Sequence, residues 1–188
     1  MTKNKLILGA FALTLSTSGA FAQLPVSTET ENRNVILEEY TGIYCGYCPD
    51  GHRIGSEYAD DNPADVFLIN IHTGSYANPS GGDPDFRTPF GPSLMGQTDL
   101  AGFPAGTVNR HTFAGYSQNS GSAQSRGSWV TTGNTVLAEE SYVNVAGNAT
   151  IDGATREMTI DVEAYFTGSG APDEMSINVV VVQDNIAG

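Results

Sequence analysis

The strongest constraint on the fold is where the chain places its only two cysteines, Cys45 and Cys48. The segment ahead of them, Val35–Thr41 ("VILEEYT"), reads as a short strand closed by Gly42. Residues 46–60 read as a helix, because Pro49 is tolerated only in a first turn and "DDNPAD" stops the pattern. Residues 66–71 ("VFLINI") form a continuous apolar run, the pattern of a strand buried on both faces of a parallel sheet. Strand, helix and strand in this order make one right-handed crossover unit, with the C-x-x-C at its first turn.

Beyond this unit, residues 73–92 are rich in Gly, Pro, Ser and Asp and read as an inserted loop. A short helix is expected over 93–100, and a turn and short strand over 102–110 ("GFPAGTVNR"). Residues 115–128 read as a second loop, before a helix with Trp129, Val136 and Leu137 on one face. The period then changes. Met158, Ile160, Val162, Ala164 and Phe166 alternate with polar neighbours, and Val143, Val145, Ala149 and Ile151 do so less strictly. That period of two predicts antiparallel strands with one wet face, joined by a hairpin turn at 152–156 ("DGATR"). Residues 177–182 read as a third strand, apolar on both sides. Three such strands do not close a sandwich, so 141–188 is expected to be a truncated part of a β-rich domain.

The first 22 residues carry the three parts of a secretion signal: Lys3 and Lys5, an apolar stretch over 6–15, and Ala20-Phe21-Ala22 before Gln23. The apolar stretch is too short to span a bilayer, and no later segment reads as a transmembrane helix. Residues 23–34 are polar, without a period, and read as a linker. The net charge is −13, and both lysines fall within the signal, so the exported part is more acidic still. Such a surface repels phosphate backbones and anionic lipid, which disfavours nucleic-acid and membrane-surface binding; solubility is its plainest purpose. Export also places the cysteines in an oxidising compartment.

Three chemistries suit the pair. At a helix mouth, Cys45 would be an exposed nucleophile and Cys48, nearly a turn further on, a buried resolving thiol. Glu38, Glu39 and Asp50 oppose a thiolate there, with Arg53 and His52 as local counter-charges. A structural staple is the second reading, although a ring this small contributes only roughly 1.9 kcal/mol by loop closure. A metal site built on Cys45, Cys48 and His52 is the third, but it lacks a second ligand pair, since His72 and His111 are isolated. Pro49 stands where covalent haem attachment needs a histidine. No cofactor or resident metal is therefore expected.

This pattern resembles the thioredoxin superfamily: a strand leading into C-x-x-C on a helix, a second strand, and a later Gly-Phe-Pro-Ala before another strand. The resemblance implies that Pro104 is cis and lies against the cysteine pair. It also implies that Glu39 is a buried carboxylate that takes the resolving cysteine's proton; alternation places Glu39 on one strand face with Val35 and Leu37. Tyr44, in place of a tryptophan, and the Gly46-Tyr47 dipeptide depart from ordinary thioredoxins. "EEYTGIYCGYCPDGHR", "INIHTG", "DFRTPFG" and "GFPAGTVNR", in that order, are similar to segments of the bacterial 28 kDa outer-membrane-protein-related family. That resemblance implies export to the periplasm or the outer membrane and cell surface.

The fold implied is α/β: a thioredoxin-like domain over 35–140 with a loop insertion at 73–92, then antiparallel β segments of an incomplete sandwich-like domain. The function implied is thiol–disulfide exchange with protein thiols or disulfides, carried by Cys45, Cys48, Pro104 and Glu39. The alternative is a cell-surface binding or adhesion module with a structural disulfide, and the sequence leaves open whether the pair is catalytic. Arg87 and Arg110 are expected to pair with acidic neighbours, and Asp83 and Asp85 to form an ordinary turn.

Overall fold

The computed structural model describes residues 24, 26–168, 170–184 and 186. The secretion signal expected over residues 1–22 lies outside the described residues. Among the described residues, six strands and three α-helices follow in chain order: β1 (Val35–Thr41), α1 (Cys48–Asp61), β2 (Val66–His72), α2 (Gly91–Met95), β3 (Ala105–Val108), β4 (Gln124–Ser125), α3 (Trp129–Leu137), β5 (Val143–Ile151) and β6 (Met158–Phe166). The first four strands form a mixed sheet in the order β2-β1-β3-β4; β5 and β6 form a separate antiparallel pair. β1 and β2 are parallel and joined by α1, and β3 runs antiparallel to β1 with Leu37 opposite Val108 and Tyr40 opposite Ala105. This is a thioredoxin-like arrangement with β segments added after it.

β1 is the central strand, and its alternation decides what lies on each face. Val35 and Leu37 point into the core with Tyr58 of α1, Val66 of β2, Val108 of β3, and Trp129 and Val136 of α3. Each such side chain withdrawn from water contributes roughly 1.5–3 kcal/mol. Glu38 and Tyr40 face the other way, where Glu38 takes hydrogen bonds from Thr107 and Arg110. Trp129 is the anchor of α3. It is fully buried, donates its indole N–H to the Gln124 carbonyl, and packs on Gly106 of β3, where an added Cβ would lie 2.7 Å from the indole ring.

Several expectations need correcting. β2 is an edge strand rather than one buried on both faces, and its Phe67 is 44% exposed. Its apolar run misleads because α1 covers one face only. α1 begins at Cys48 rather than Gly46, with Pro49 in its first turn as expected. α2 lies earlier and is shorter than the 93–100 prediction. The loop over 115–128 contains β4, a two-residue strand without a sequence period of its own. β5 and β6 pair in the predicted antiparallel way, with Asp152 Oδ1 accepting from the Ala154 and Thr155 amides in the turn. They do not have one dry face: Val145, Ile151, Met158 and Phe166 are all exposed. Residues 177–182 form no strand. Val179, Val180 and Val181 instead border a shallow depression with Ala149, Met158 and Ile160.

Residues 26–34, expected as a linker, are held down at the junction between α3 and β5. Asn32 bridges to Glu140, the Arg33 amide donates to the Glu139 carbonyl, and the Ser141 amide donates to the Glu31 carbonyl. The Asn144 side-chain amide donates to the Ser27 and Glu29 carbonyls.

Candidate functional site

Cys45 and Cys48 are joined in a disulfide with an S–S distance of 2.08 Å and a Cα–Cα distance of 5.4 Å. The pair lies just past the end of β1, where the chain turns into α1. Cys45 is not an exposed helix-mouth residue in this oxidised form. It precedes the helix, its carbonyl accepts from the Cys48 amide, and it is only 6% exposed, against 1% for Cys48. The short turn at Ser75–Ala77 packs beside the cysteine loop, where the Tyr44 amide donates to the Tyr76 carbonyl. Tyr44, Tyr47 and Pro49 are exposed beside the disulfide.

The acidic residues near the pair are largely neutralised. Asp50, in the first turn of α1, accepts from Arg53 at 2.9 Å and Arg126 at 2.6 Å, which hold its carboxyl below the usual carboxylate range. The Arg126 guanidinium also lies 5.6 Å from the centre of the Tyr47 ring. Glu38 is tied to Arg110 on the opposite face of β1. Arg53 faces Asp50 and Glu57 rather than the cysteines, so its expected role as a thiolate counter-charge is not seen.

Glu39 is the unusual group. It is fully buried, and its Oε1 has no hydrogen-bond partner. Its other oxygen, Oε2, is 3.1 Å from His52 Nδ1, while His52 Nε2 is 3.2 Å from Thr41 Oγ1. Oε1 lies against Gly51, one helical turn beyond Cys48; a Cβ added there would be 2.5 Å from Oε1 and 3.0 Å from Pro104 Cγ. Pro104 is buried and follows a cis peptide bond from Phe103. Gly51 thus lets the carboxylate and Pro104 close on the same patch of the cysteine helix. Burial raises the Glu39 carboxyl above its ordinary value, and hydrogen bonding to Glu39 raises the His52 imidazole above its own. Both groups therefore hold a proton more tightly than they would in water, and each acts on the other.

The structure therefore gathers Cys45, Cys48, Glu39 and Pro104 around the start of α1, while Arg87 and Arg110 do not join them. Arg110 lies past Val108, toward the start of β1, with Glu38. Arg87 is bound by Asp85 and Asn78 in the inserted loop. That loop borders a groove of about 500 Å³ with His72, Thr73, Pro92 and Met95. Asp83 accepts a short hydrogen bond from the Tyr44 hydroxyl, which fastens the insertion to the cysteine loop. The metal trio does not converge: the two sulfurs bond each other, and both His52 nitrogens are engaged elsewhere. Sequence reasoning missed Arg126 and the pairing of His52 with Glu39. The spacing from Cys48 to His52 marked the residue, but nothing in the sequence tied it to β1.

No family model matches the chain. No curated protein matches it either. Among solved structures it is similar to HBP35 of Porphyromonas gingivalis, with a TM-score of 0.45 and 18% sequence identity. The match covers 64% of this chain and 38% of that one, well under half of its length.

Proposed function

We propose that this is an exported thioredoxin-like protein whose Cys45–Cys48 pair exchanges thiols and disulfides with protein partners. In the oxidising direction, a partner thiolate attacks Cys45 Sγ and the Cys45–Cys48 bond breaks. Cys48 leaves as a thiolate and takes a proton from the Glu39 side. A second partner thiolate then attacks the mixed disulfide and releases Cys45, so the partner loses two electrons and the pair gains them. The reverse steps reduce a partner disulfide.

The observation that carries this reading is Glu39, fully buried behind the disulfide with one carboxylate oxygen unpartnered. Leaving such a group unsatisfied costs about 1–3 kcal/mol or more, comparable to everything a four-residue staple contributes. A purely structural disulfide gives no reason to keep it, whereas a proton acceptor for Cys48 does. Pro104, packed against Gly51, adds to the support as the edge that would receive a partner's backbone. The N-terminal signal pattern and the four segments resembling the 28 kDa outer-membrane-protein-related family support export to the periplasm or cell surface. Among the described residues, no helix is long and apolar enough to cross a membrane.

The test is the reduction potential of the pair in glutathione buffers, together with trapping by Cys48→Ala. A potential above about −300 mV and a mixed disulfide on Cys45 are expected. A lower potential with nothing trapped would leave the second reading, a surface binding module with an inert disulfide. The exposed apolar side chains of β5 and β6 favour that reading, because they offer a partner surface remote from the cysteines.

A further inference from the structure

We propose that His52 is the positioning residue through which the Cys48 proton leaves the buried site, passing it between the Glu39 carboxylate and solvent. The inference deepens the thiol–disulfide reading and rests on it. Glu39 is fully buried, so any proton it takes up must be passed on before the next cycle. Its free Oε1 faces Gly51, a turn of helix from Cys48, and its other oxygen is held by His52 Nδ1 at 3.1 Å. One carboxylate oxygen therefore lies against the first turn of the cysteine helix and the other against the histidine. The His52 side chain is 37% exposed, so the imidazole bridges buried carboxylate and water.

The groups that bear on His52 are few. Glu39 faces it from β1 and raises its proton affinity. From β2 come the neutral Asn70 and the imidazole of His72; the latter holds its proton less tightly than usual, through burial first and His52 second. Thr41 Oγ1 contacts Nε2 and fixes the ring plane. On its own helix, Arg53 and Asp50 are paired with each other. An imidazole in this position, touching the buried carboxylate on one side and water on the other, can accept and return a proton.

The step balances simply. When Cys48 resolves a mixed disulfide on Cys45, the Cys48 S–H bond breaks and the Cys45–Cys48 bond forms. The partner leaves as a thiolate and is protonated by water. The Cys48 proton goes to Glu39 Oε1, the proton held at Glu39 Oε2 passes to His52 Nδ1, and the part-exposed imidazole releases one from Nε2 to solvent. In the oxidising direction the same proton returns.

The experiment uses the reduced full chain and 2,2′-dipyridyl disulfide. One pyridinethione is released when Cys45 attacks and a second when Cys48 resolves, so the two steps separate in stopped flow. His52→Gln retains a donor for Glu39 but cannot carry a proton. It should slow the second release about tenfold to a hundredfold near neutral pH and move its midpoint toward that of an ordinary thiol, about 8.5. Imidazole in the buffer should restore the rate in His52→Ala. A second-release pH profile unchanged by His52→Gln overturns the proposal while leaving the thiol–disulfide reading intact. An unmodified chain with no first release removes that reading and this one together. Should the variants lose their fold, nuclear magnetic resonance titration of His52 in the unmodified chain decides: its midpoint must differ between the oxidised and reduced forms, and equal midpoints overturn the proposal.

Discussion

A methyl group on Gly51 would stand 2.5 Å from Glu39 Oε1 and 3.0 Å from Pro104 Cγ. Neither neighbour can retreat, since one is held by His52 and the other is buried in its loop. Gly51→Ala should therefore destabilise the oxidised protein by about 1–3 kcal/mol, read from the urea midpoint. Combining it with Glu39→Ala should cost less than the sum of the two single changes, because the second removes the obstruction created by the first. The same residues set a pH dependence. Glu39 is raised above its ordinary 4.5, so its favourable contribution is present below about pH 4.5 and lost as pH rises through its folded value. His52 is raised above 6.5, and its contribution is likewise present below about pH 6.5 and lost above its folded value. The two slopes share a sign. Unfolding midpoints of the oxidised chain should fall from about pH 5 to about pH 8, and Glu39→Gln should flatten the decline. Exposed Asp50, Asp85, Asp99 and Asp152 are held low and act with the opposite sign, in more acid solution only. Burial of Glu39 was legible from strand alternation with Leu37. Its bond to His52 was not, because the rotation of a helix over a sheet is decided by packing, here by Gly51 and Gly55 on the buried face of α1.

Among the elements, α3 depends on its contact with β3. Gly106→Val should push Trp129 off the sheet, since even a Cβ would lie 2.7 Å from the indole. Trp129 is the chain's single tryptophan, so the change should red-shift the intrinsic fluorescence and lower the unfolding free energy by a few kcal/mol, about the range of large core disruptions. The crossover unit was readable because a cysteine turn, a first-turn proline and two apolar runs bracket it. Which strand would be central was not. β2 has the more apolar sequence, but β1 carries partners on both sides and is buried almost throughout, including its two glutamates. Charged residues at 38 and 39 disguised the central strand, and partners from other elements, Thr107 and Arg110 for Glu38 and His52 for Glu39, explain how they are accommodated. β4, at two residues, is too short for any period to announce it.

At the scale of the whole molecule, two β systems differ in support. The four-stranded sheet is covered by α1 and α3, while β5 and β6 are bonded to each other and expose side chains on both faces. A two-stranded pair without a covered face is marginal by itself. Amide hydrogen exchange should therefore be orders of magnitude faster in β5 and β6 than in β1 and β3, in native buffer with the disulfide intact. Equal protection in both sheets would mean that a further surface covers the hairpin. The strands were legible from their period of two. The failure of 177–182 to add a third was not, since an apolar run states only that a segment can pair, never with which edge.

The bonds of residues 26–34 to the end of α3 also have a mechanical meaning. Tension applied through β5 and β6 would reach Asn144, held to Ser27 and Glu29, and then Ser141, Glu140 and Glu139, where Glu31, Asn32 and Arg33 grip the chain. That grip must yield before load passes along α3 to Trp129 and the sheet. A tug on the hairpin is thus absorbed at a clasp, and the disulfide at the far end of β1 keeps its setting while the clasp holds.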